Sequence, residues 1–290
     1  MVGFRSAAKR FGNARINWWN MYPYIHLGPL TLGTFGILMW LAFVAGFLAL
    51  SADFSRRNLP ADPHLVVSII ALAGLAGSKL WHLLESPSEF FAAPGSMFFS
   101  RTGFAWFGGF VAGILAVIYC ARRYKIPLLI MMDACAPATA IGYAVGRIGC
   151  LVSGDGDYGK PTSLPWGMAF PNGLVPTPPV CQDYGWPANC AVHPTPIYEF
   201  VVGMAIFYYL WRLGAPSGDG KRSGSVVAQF FILSGIARFL VEFIRINPRS
   251  ILGMSNAQAA SLLSVVFGIV LLIALKRPPP AVAEKDRSKA

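Results

Sequence analysis

The sequence predicts an all-α integral membrane protein: a seven-transmembrane-helix bundle with an extracytoplasmic loop or head region between its fourth and fifth helices. Hydrophobic residues make up 55% of the chain and charged residues only 13%, with mean hydropathy +0.53, well to the apolar side of a water-soluble domain. Apolar windows of about 20 residues, the length one helix needs to cross the hydrocarbon core, recur seven times. The formal net charge of +11 sits in short loops and tails rather than on an aromatic-rich basic surface, which excludes a nucleic-acid-binding class.

Residues 1–29 hold Arg5, Lys9, Arg10 and Arg15 with no apolar core before a small-residue cleavage site. They are not expected to act as a removable signal peptide. They are expected to form a basic amphipathic segment on the membrane surface, with Trp18, Trp19, Tyr22 and Tyr24 at headgroup level. The membrane domain is expected over 30–276, followed by a disordered cytoplasmic tail at 277–290.

The first span is expected at 30–50 and the second at 65–84. The second carries Lys79, His82 and Glu85 three apart on one helical face, either snorkelling at a helix end or lining a polar cavity. Span three, 104–121, opens with Gly108-Gly109 and closes on Arg122-Arg123 and Lys125. Paired glycines there permit close helix packing or backbone approach by a ligand. Span four starts near Pro127, encloses Asp133 and ends in the stretch from Gly146 to Gly159. In so apolar a chain, Arg147 followed by Asp155 and Asp157 is costly near a membrane unless it pairs or binds something. Asp155 and Asp157 could hold Arg147 or take a proton, or be simple turn formers. For Asp157 the favoured reading is a simple turn former.

A polar, Pro- and Gly-rich loop of about 40 residues follows at 153–193, long enough to suggest a functional role. Its Cys181 and Cys190 could form a local disulfide if the loop faces an oxidising compartment. With Cys120, Cys135 and Cys150 they make no paired metal-binding spacing, so no metal is expected. Span five follows Pro194 and includes Tyr198 and Glu199; span six is placed at 225–243 and span seven at 257–275. Arg238, Glu242 and Arg245, spaced four and three, share one face of span six. Glu242 can neutralise one arginine and leave the other for an anion, or the set can be a structural ion pair. Arginines at membrane depth favour phosphate, to which they bond bidentately, and a phospholipid headgroup is the anion at hand. Counting Lys and Arg on alternate sides of seven spans gives 13 against 8, which puts the C-terminus in the cytoplasm and the N-terminus and long loop outside. A retinal-type receptor is excluded by the absence of an interior lysine in span seven, and a transporter by the absence of matching interrupted halves.

Gly146-Arg147-Ile148-Gly149 with Gly154-Asp155, the Gly108-Gly109 element, His193-Pro194-Thr195-Pro196-Ile197-Tyr198-Glu199, and Arg238-Phe239-Leu240-Val241-Glu242-Phe243-Ile244-Arg245 together resemble the prolipoprotein diacylglyceryl transferase family, in the family's order over nearly the whole chain. The resemblance implies transfer of the diacylglyceryl group of phosphatidylglycerol to the lipobox cysteine of a bacterial preprolipoprotein, with release of glycerol phosphate and no cofactor. It implies a bacterial cytoplasmic (inner) membrane location. Carried onto this sequence, it puts Arg147 and Arg238 at the lipid phosphate, with Gly108, Gly109 and Gly154 beside it. Asp155, Arg238 and Glu242 take part in the chemical step, supported by Tyr198, Glu199, Cys150 and Arg245.

The chain departs from the family pattern at five positions. Phe107 stands where a histidine is usual, Cys150 for an asparagine, Asp155 for a glutamate, and Phe35 and Ser234 for tyrosines. Phosphate-binding residues survive while proton-handling ones change, so the thiol proton would pass to Asp155, His82 or water. The alternatives are a same-fold enzyme using a different lipid or acceptor, and a non-catalytic phospholipid- or lipoprotein-binding membrane protein. On this reading Asp155→Asn is expected to cost far more activity than Asp157→Asn.

Overall fold

A computed structural model describes residues 23–100, 105–215, 223–250 and 252–276. The expected surface segment up to Tyr22 and the tail from residue 277 lie outside them. In chain order the elements are β1 (Tyr24–Leu27), β2 (Leu30–Gly33), α1 (Thr34–Arg57), α2 (Pro63–Glu85), α3 (Pro87–Ala92), α4 (Pro94–Phe98), α5 (Trp106–Arg123), α6 (Leu128–Ser153), β3 (Pro161–Thr162), α7 (Thr177–Asp183), β4 (Ala191–Val192), α8 (Thr195–Leu213), α9 (Ser225–Val241) and α10 (Asn256–Lys276). The molecule is mostly helical. Among the described residues, four helices, α1, α2, α6 and α10, are long and apolar enough to cross a membrane, and α9 is a shorter apolar helix.

Helix ends follow local chemistry. Asp62 accepts a hydrogen bond from the His64 N–H at 2.9 Å and starts α2, with Pro63 at its first position. α6 ends on Gly154 in the left-handed conformation at φ 58°. Both ends of the first span differ from expectation: its helix runs on to Arg57 instead of ending at residue 50. Residues 30–33 do not open the first span, because β2 pairs with β1 in an antiparallel hairpin that turns at Gly28 and Pro29. α1 therefore begins at Thr34, whose hydroxyl and N–H both bond the Pro23 carbonyl. Tyr24, expected at headgroup level, belongs to that hairpin. The long loop is likewise structured: β3 and β4 pair, α7 packs on β4, and Tyr158, Phe170 and Val192 form a small core with the bonded pair Cys181–Cys190.

The long helices pack as α1 on α6, α2 on α5, α6 on α8 and α9 on α10, with α8 and α6 also against α9. The α2–α5 contact is so close that a Cβ on Gly108 would lie 2.2 Å from the Gly77 carbonyl oxygen, and one on Gly109 2.4 Å from the Ser78 hydroxyl. These glycines bring two backbones together in the small-residue manner of membrane helices. The buried Asp133 is explained the same way, by packing: its carboxylate accepts from the N–H groups of Gly224 at 2.7 Å and Val227 at 2.8 Å. It satisfies the exposed donors at the start of α9, where the helix dipole favours negative charge. At the same end of the bundle Asp53 pairs with Arg56 and Arg57, and Arg56 donates to the Trp211 carbonyl at 2.8 Å while lying 4.0 Å over that indole. The opposite end carries the long loop and the residues described next.

Candidate functional site

At the loop end three arginines from three stretches of chain converge. Arg147 projects from the last turns of α6, Arg238 from the last turn of α9, and Arg245 from the segment that follows it. The loop after α6 is stitched beneath them. Gly154 turns the chain sharply, and a Cβ there would sit 2.7 Å from Gly173 Cα. Gly159 then bridges Arg245 backbone to backbone, and Lys160 N–H donates to the Ile244 carbonyl at 2.8 Å. Residues more than 80 positions apart are thereby fixed beside each other.

Three carboxylates match the three guanidiniums. Glu199, on the first turns of α8, is central. Its Oε1 accepts from the Tyr143 hydroxyl at 2.5 Å and lies 3.3 Å from Arg238 Nη1 and 3.4 Å from Arg147 Nη2, while Oε2 is 3.3 Å from Arg245 Nη1. Glu242 sits 3.0 Å from Arg238 Nη2 and 3.6 Å from Arg245 Nε, and its other oxygen accepts from Asn247 at 2.7 Å. Asp157 bridges Arg147 and Arg245, one oxygen to each. Arg147 also lies 4.7 Å from the centre of the Tyr143 ring, a cation–π contact that fixes its orientation. The formal charge of the cluster is zero. Of the two readings of Arg238, Glu242 and Arg245, the structural ion pair is the one the fold favours, because Glu199 and Asp157 neutralise what Glu242 leaves over.

Exposure is uneven within the cluster. The Arg238 side chain keeps 24% of its surface and Asp157 31%, against 4% for Glu199 and 1% for Glu242. Arg238 and Asp157 therefore form the open face of an otherwise buried network.

The two loop aspartates titrate in opposite directions. Burial pushes the Asp155 carboxyl up, and the neighbouring charge of Asp157 pushes it further. Burial also works against the Asp157 carboxylate, but Arg245 and Arg147 outweigh it and hold its pKa below the ordinary value. Asp155 is thus the carboxyl suited to hold a proton, and Asp157 the one that stays charged. This corrects the sequence-based assignment: Asp157, read as a turn former, is the partner of Arg147, because only the fold brings Arg245 to complete the bridge. Cys150 stands beside both, its Sγ 3.8 Å from Arg147 Nη1. Cys150, Asp155 and Asp157 bring possible metal-ligand atoms within 4.8 Å of one another, but both Asp157 oxygens already face guanidiniums. Cys150 Sγ in turn accepts from Arg147 Nη1, and Asp155 Oδ1 accepts from the Asp157 N–H at 3.2 Å, so all three side chains are already engaged by protein donors.

The remaining predicted residues separate into other groups. Gly108 and Gly109 serve the α2–α5 contact, so helix packing accounts for the pair without a phosphate. Gly154 makes the turn that delivers Asp155 and Asp157. Tyr198 belongs to a neighbouring trio: its hydroxyl accepts from Trp166 Nε1 at 2.8 Å and lies 3.3 Å from His193 Nδ1. On α2, Lys79 donates to the Ser100 carbonyl at 3.1 Å and hydroxyl at 2.8 Å, tying the helix to the segment after α4, while Trp81 donates to Glu85 at 2.7 Å within α2 itself. Tyr143 is the functional candidate that the sequence did not single out. Its spacing of four from Arg147 was the available signal, hidden because a tyrosine in an apolar span usually marks nothing beyond packing.

A family model described as prolipoprotein diacylglyceryl transferase matches residues 23–274. A phosphatidylglycerol–prolipoprotein diacylglyceryl transferase of Leptospira interrogans is 30% identical over 240 residues, which span 74% of this chain and 71% of the relative. Proteins of the same name are 29% identical: in Clostridium tetani over 81% of this chain and 90% of theirs, and in Geobacter sulfurreducens over 88% and 95%.

Proposed function

This chain belongs to the prolipoprotein diacylglyceryl transferase family, and from that premise we propose that it transfers the diacylglyceryl group of phosphatidylglycerol to the lipobox cysteine thiol of bacterial prolipoproteins. The observation that carries the reading is the convergence of Arg147, Arg238 and Arg245 around Glu199 at one end of the bundle. The lipid phosphate meets the open face of that network at Arg238, with Arg147 behind it.

In the reaction, the cysteine sulfur attacks the glyceryl carbon that bears the phosphate ester. A C–S bond forms, the C–O bond breaks with its electron pair moving to phosphate, and glycerol phosphate leaves with one more negative charge than the diester carried. Charge develops on the phosphate oxygens, where guanidiniums already fixed by Glu199, Glu242 and Tyr143 stabilise it without reorganisation. Asp155 takes the thiol proton, a role for which its elevated pKa fits it better than a carboxylate held low by arginines. It also stands in for the histidine that Phe107 replaces. Glu242 and Glu199 act through the arginines rather than on the reacting atoms.

The same reading makes the membrane domain a seven-span unit over 30–276, with α5, α8 and α9 crossing beside the four longer helices. The 17 residues of α9 extend about 26 Å, close to the hydrocarbon thickness. The loop at 153–193 lies outside the bacterial inner membrane and the C-terminus in the cytoplasm.

Purified protein given phosphatidylglycerol and a lipobox peptide should yield a thioether-linked diacylglyceryl peptide and free glycerol phosphate. Arg238→Ala and Arg147→Ala should each lower the rate by at least about 100-fold, the scale of removing one donor to a developing oxyanion. Lipid binding without product, or full activity in both variants, would overturn the reading.

A further inference from the structure

Asp157 is the one carboxylate of the network that faces outward, with 31% of its side-chain surface exposed. Its two oxygens are divided between two cations, Oδ2 to Arg147 and Oδ1 to Arg245. A phosphate presents oxygens to paired guanidiniums in the same way. The Asp157 backbone, in contrast, is tied down. Its carbonyl accepts from the Thr195 hydroxyl and from Arg245 Nη1, the latter at 3.2 Å, and its N–H donates to Asp155 Oδ1 at 3.2 Å. With the main chain held, rotation of one short side chain is enough to empty the space between Arg147 and Arg245.

Charge balance points the same way. Three guanidiniums are already matched by three carboxylates, so an arriving phosphate would be a fourth anion among buried charges, which is costly unless one of the others leaves. Glu199 and Glu242 cannot leave easily, being buried and engaged by Tyr143 and Asn247 as well as by arginines. Asp157 can, because its side chain is partly exposed and has room to turn outward.

From these observations we infer that Asp157 is a displaceable internal anion: its carboxylate lies between Arg147 and Arg245 on the open face it shares with Arg238, and swings out when the phosphate that meets Arg238 enters and takes its place on Arg147. The inference rests on the phosphate role given to Arg147 above. In the empty site the carboxylate keeps two arginines paired. In the loaded site its departure hands them to the lipid, so Asp157 sets how tightly an anionic headgroup is held.

The test measures binding of free glycerol phosphate to the full-length protein and to its Asp157→Asn and Asp157→Ala variants. With the internal competitor gone, both variants should bind it about tenfold more tightly, the scale of one charge-assisted hydrogen bond. Millimolar formate should compete with glycerol phosphate in Asp157→Ala, where it can take the vacated seat, and at least about tenfold less well in the unaltered protein. Unchanged or weaker binding in folded variants would overturn the inference. So would failure of both variants to fold, since an anion the fold depends on is not displaceable. Transfer to the lipobox peptide is scored separately. Tighter binding by the variants without any transfer by the unaltered protein would leave the seat standing and remove the proposed function; transfer with unaltered binding in the variants would remove the seat alone.

Discussion

Asp155 and Asp157 lie two positions apart and are pushed to opposite protonation behaviour, which makes the proton acceptor testable by pH. Because burial and the Asp157 charge raise the Asp155 pKa above its ordinary 3.8, the residue is protonated and idle at low pH and becomes a base as pH rises through its elevated value. The rate should therefore climb along a single ionisation above pH 3.8. Asp155→Asn should lower kcat by about 100-fold or more and abolish that limb, and Asp155→Glu should restore part of it. A pH profile identical in Asp155→Asn and the unaltered protein would assign the proton elsewhere. At this scale the sequence was only partly legible. Arg147, Arg238 and Arg245 stood out because a guanidinium in an apolar run is expensive without a partner. Glu242, four residues from Arg238, was legible as a partner; the distant partners were not, since Asp157 meets Arg245 across 88 positions and Tyr143 meets Glu199 across 56, and no local pattern encodes such pairings.

Among the elements, the long helices other than α1 were legible to within a few residues because an apolar window of sufficient length has few other outcomes in a membrane; α1 runs on to Arg57, past its apolar window. The hairpin Tyr24–Leu27 with Leu30–Gly33, the helix Thr177–Asp183 and the strand pair in the long loop were not, because short elements are decided by tertiary contacts rather than by their own pattern. Gly108 shows how an ambiguous motif resolves at this level. Paired glycines suit either a ligand or a neighbouring helix, and the α2 backbone is the neighbour. Gly108→Ala should accordingly destabilise the folded protein by about 1–3 kcal/mol, as overpacking does, and Gly113→Ala, with open space where its Cβ would point, should be neutral or slightly stabilising. Thermal unfolding in detergent compares the two. Loss of activity by Gly108→Ala at undiminished stability would return that glycine to the lipid site.

For the molecule as a whole, the two ends of the bundle are chemically distinct, and this ties orientation to redox state. One end carries Asp53, Arg56 and Arg57 with Asp133 at the start of α9; the other carries the arginine–carboxylate network and the loop closed by Cys181–Cys190. A disulfide persists in an oxidising compartment and is lost to cytoplasmic thiols, so the bond and the outside placement of the loop stand or fall together. The excess of basic residues on the opposite side, 13 against 8, argues independently for the same orientation. In intact cells, an impermeant maleimide should label Cys181 and Cys190 only after treatment with an impermeant reductant, and the Cys181→Ser/Cys190→Ser double variant should lose that signal. A cysteine introduced at Lys125, in the turn between α5 and α6, should be labelled only once the membrane is opened. Because the bridge joins cysteines only 9 positions apart, its removal should cost about 2–3 kcal/mol of loop stability. That loop supplies the chain from Asp155 to Gly159 and the backbone bridge to Arg245, so the double variant should lose transfer activity at a lower temperature than the unaltered protein while the helices remain folded. Parallel loss of helicity and activity would mean that the loop and the bundle melt as one unit.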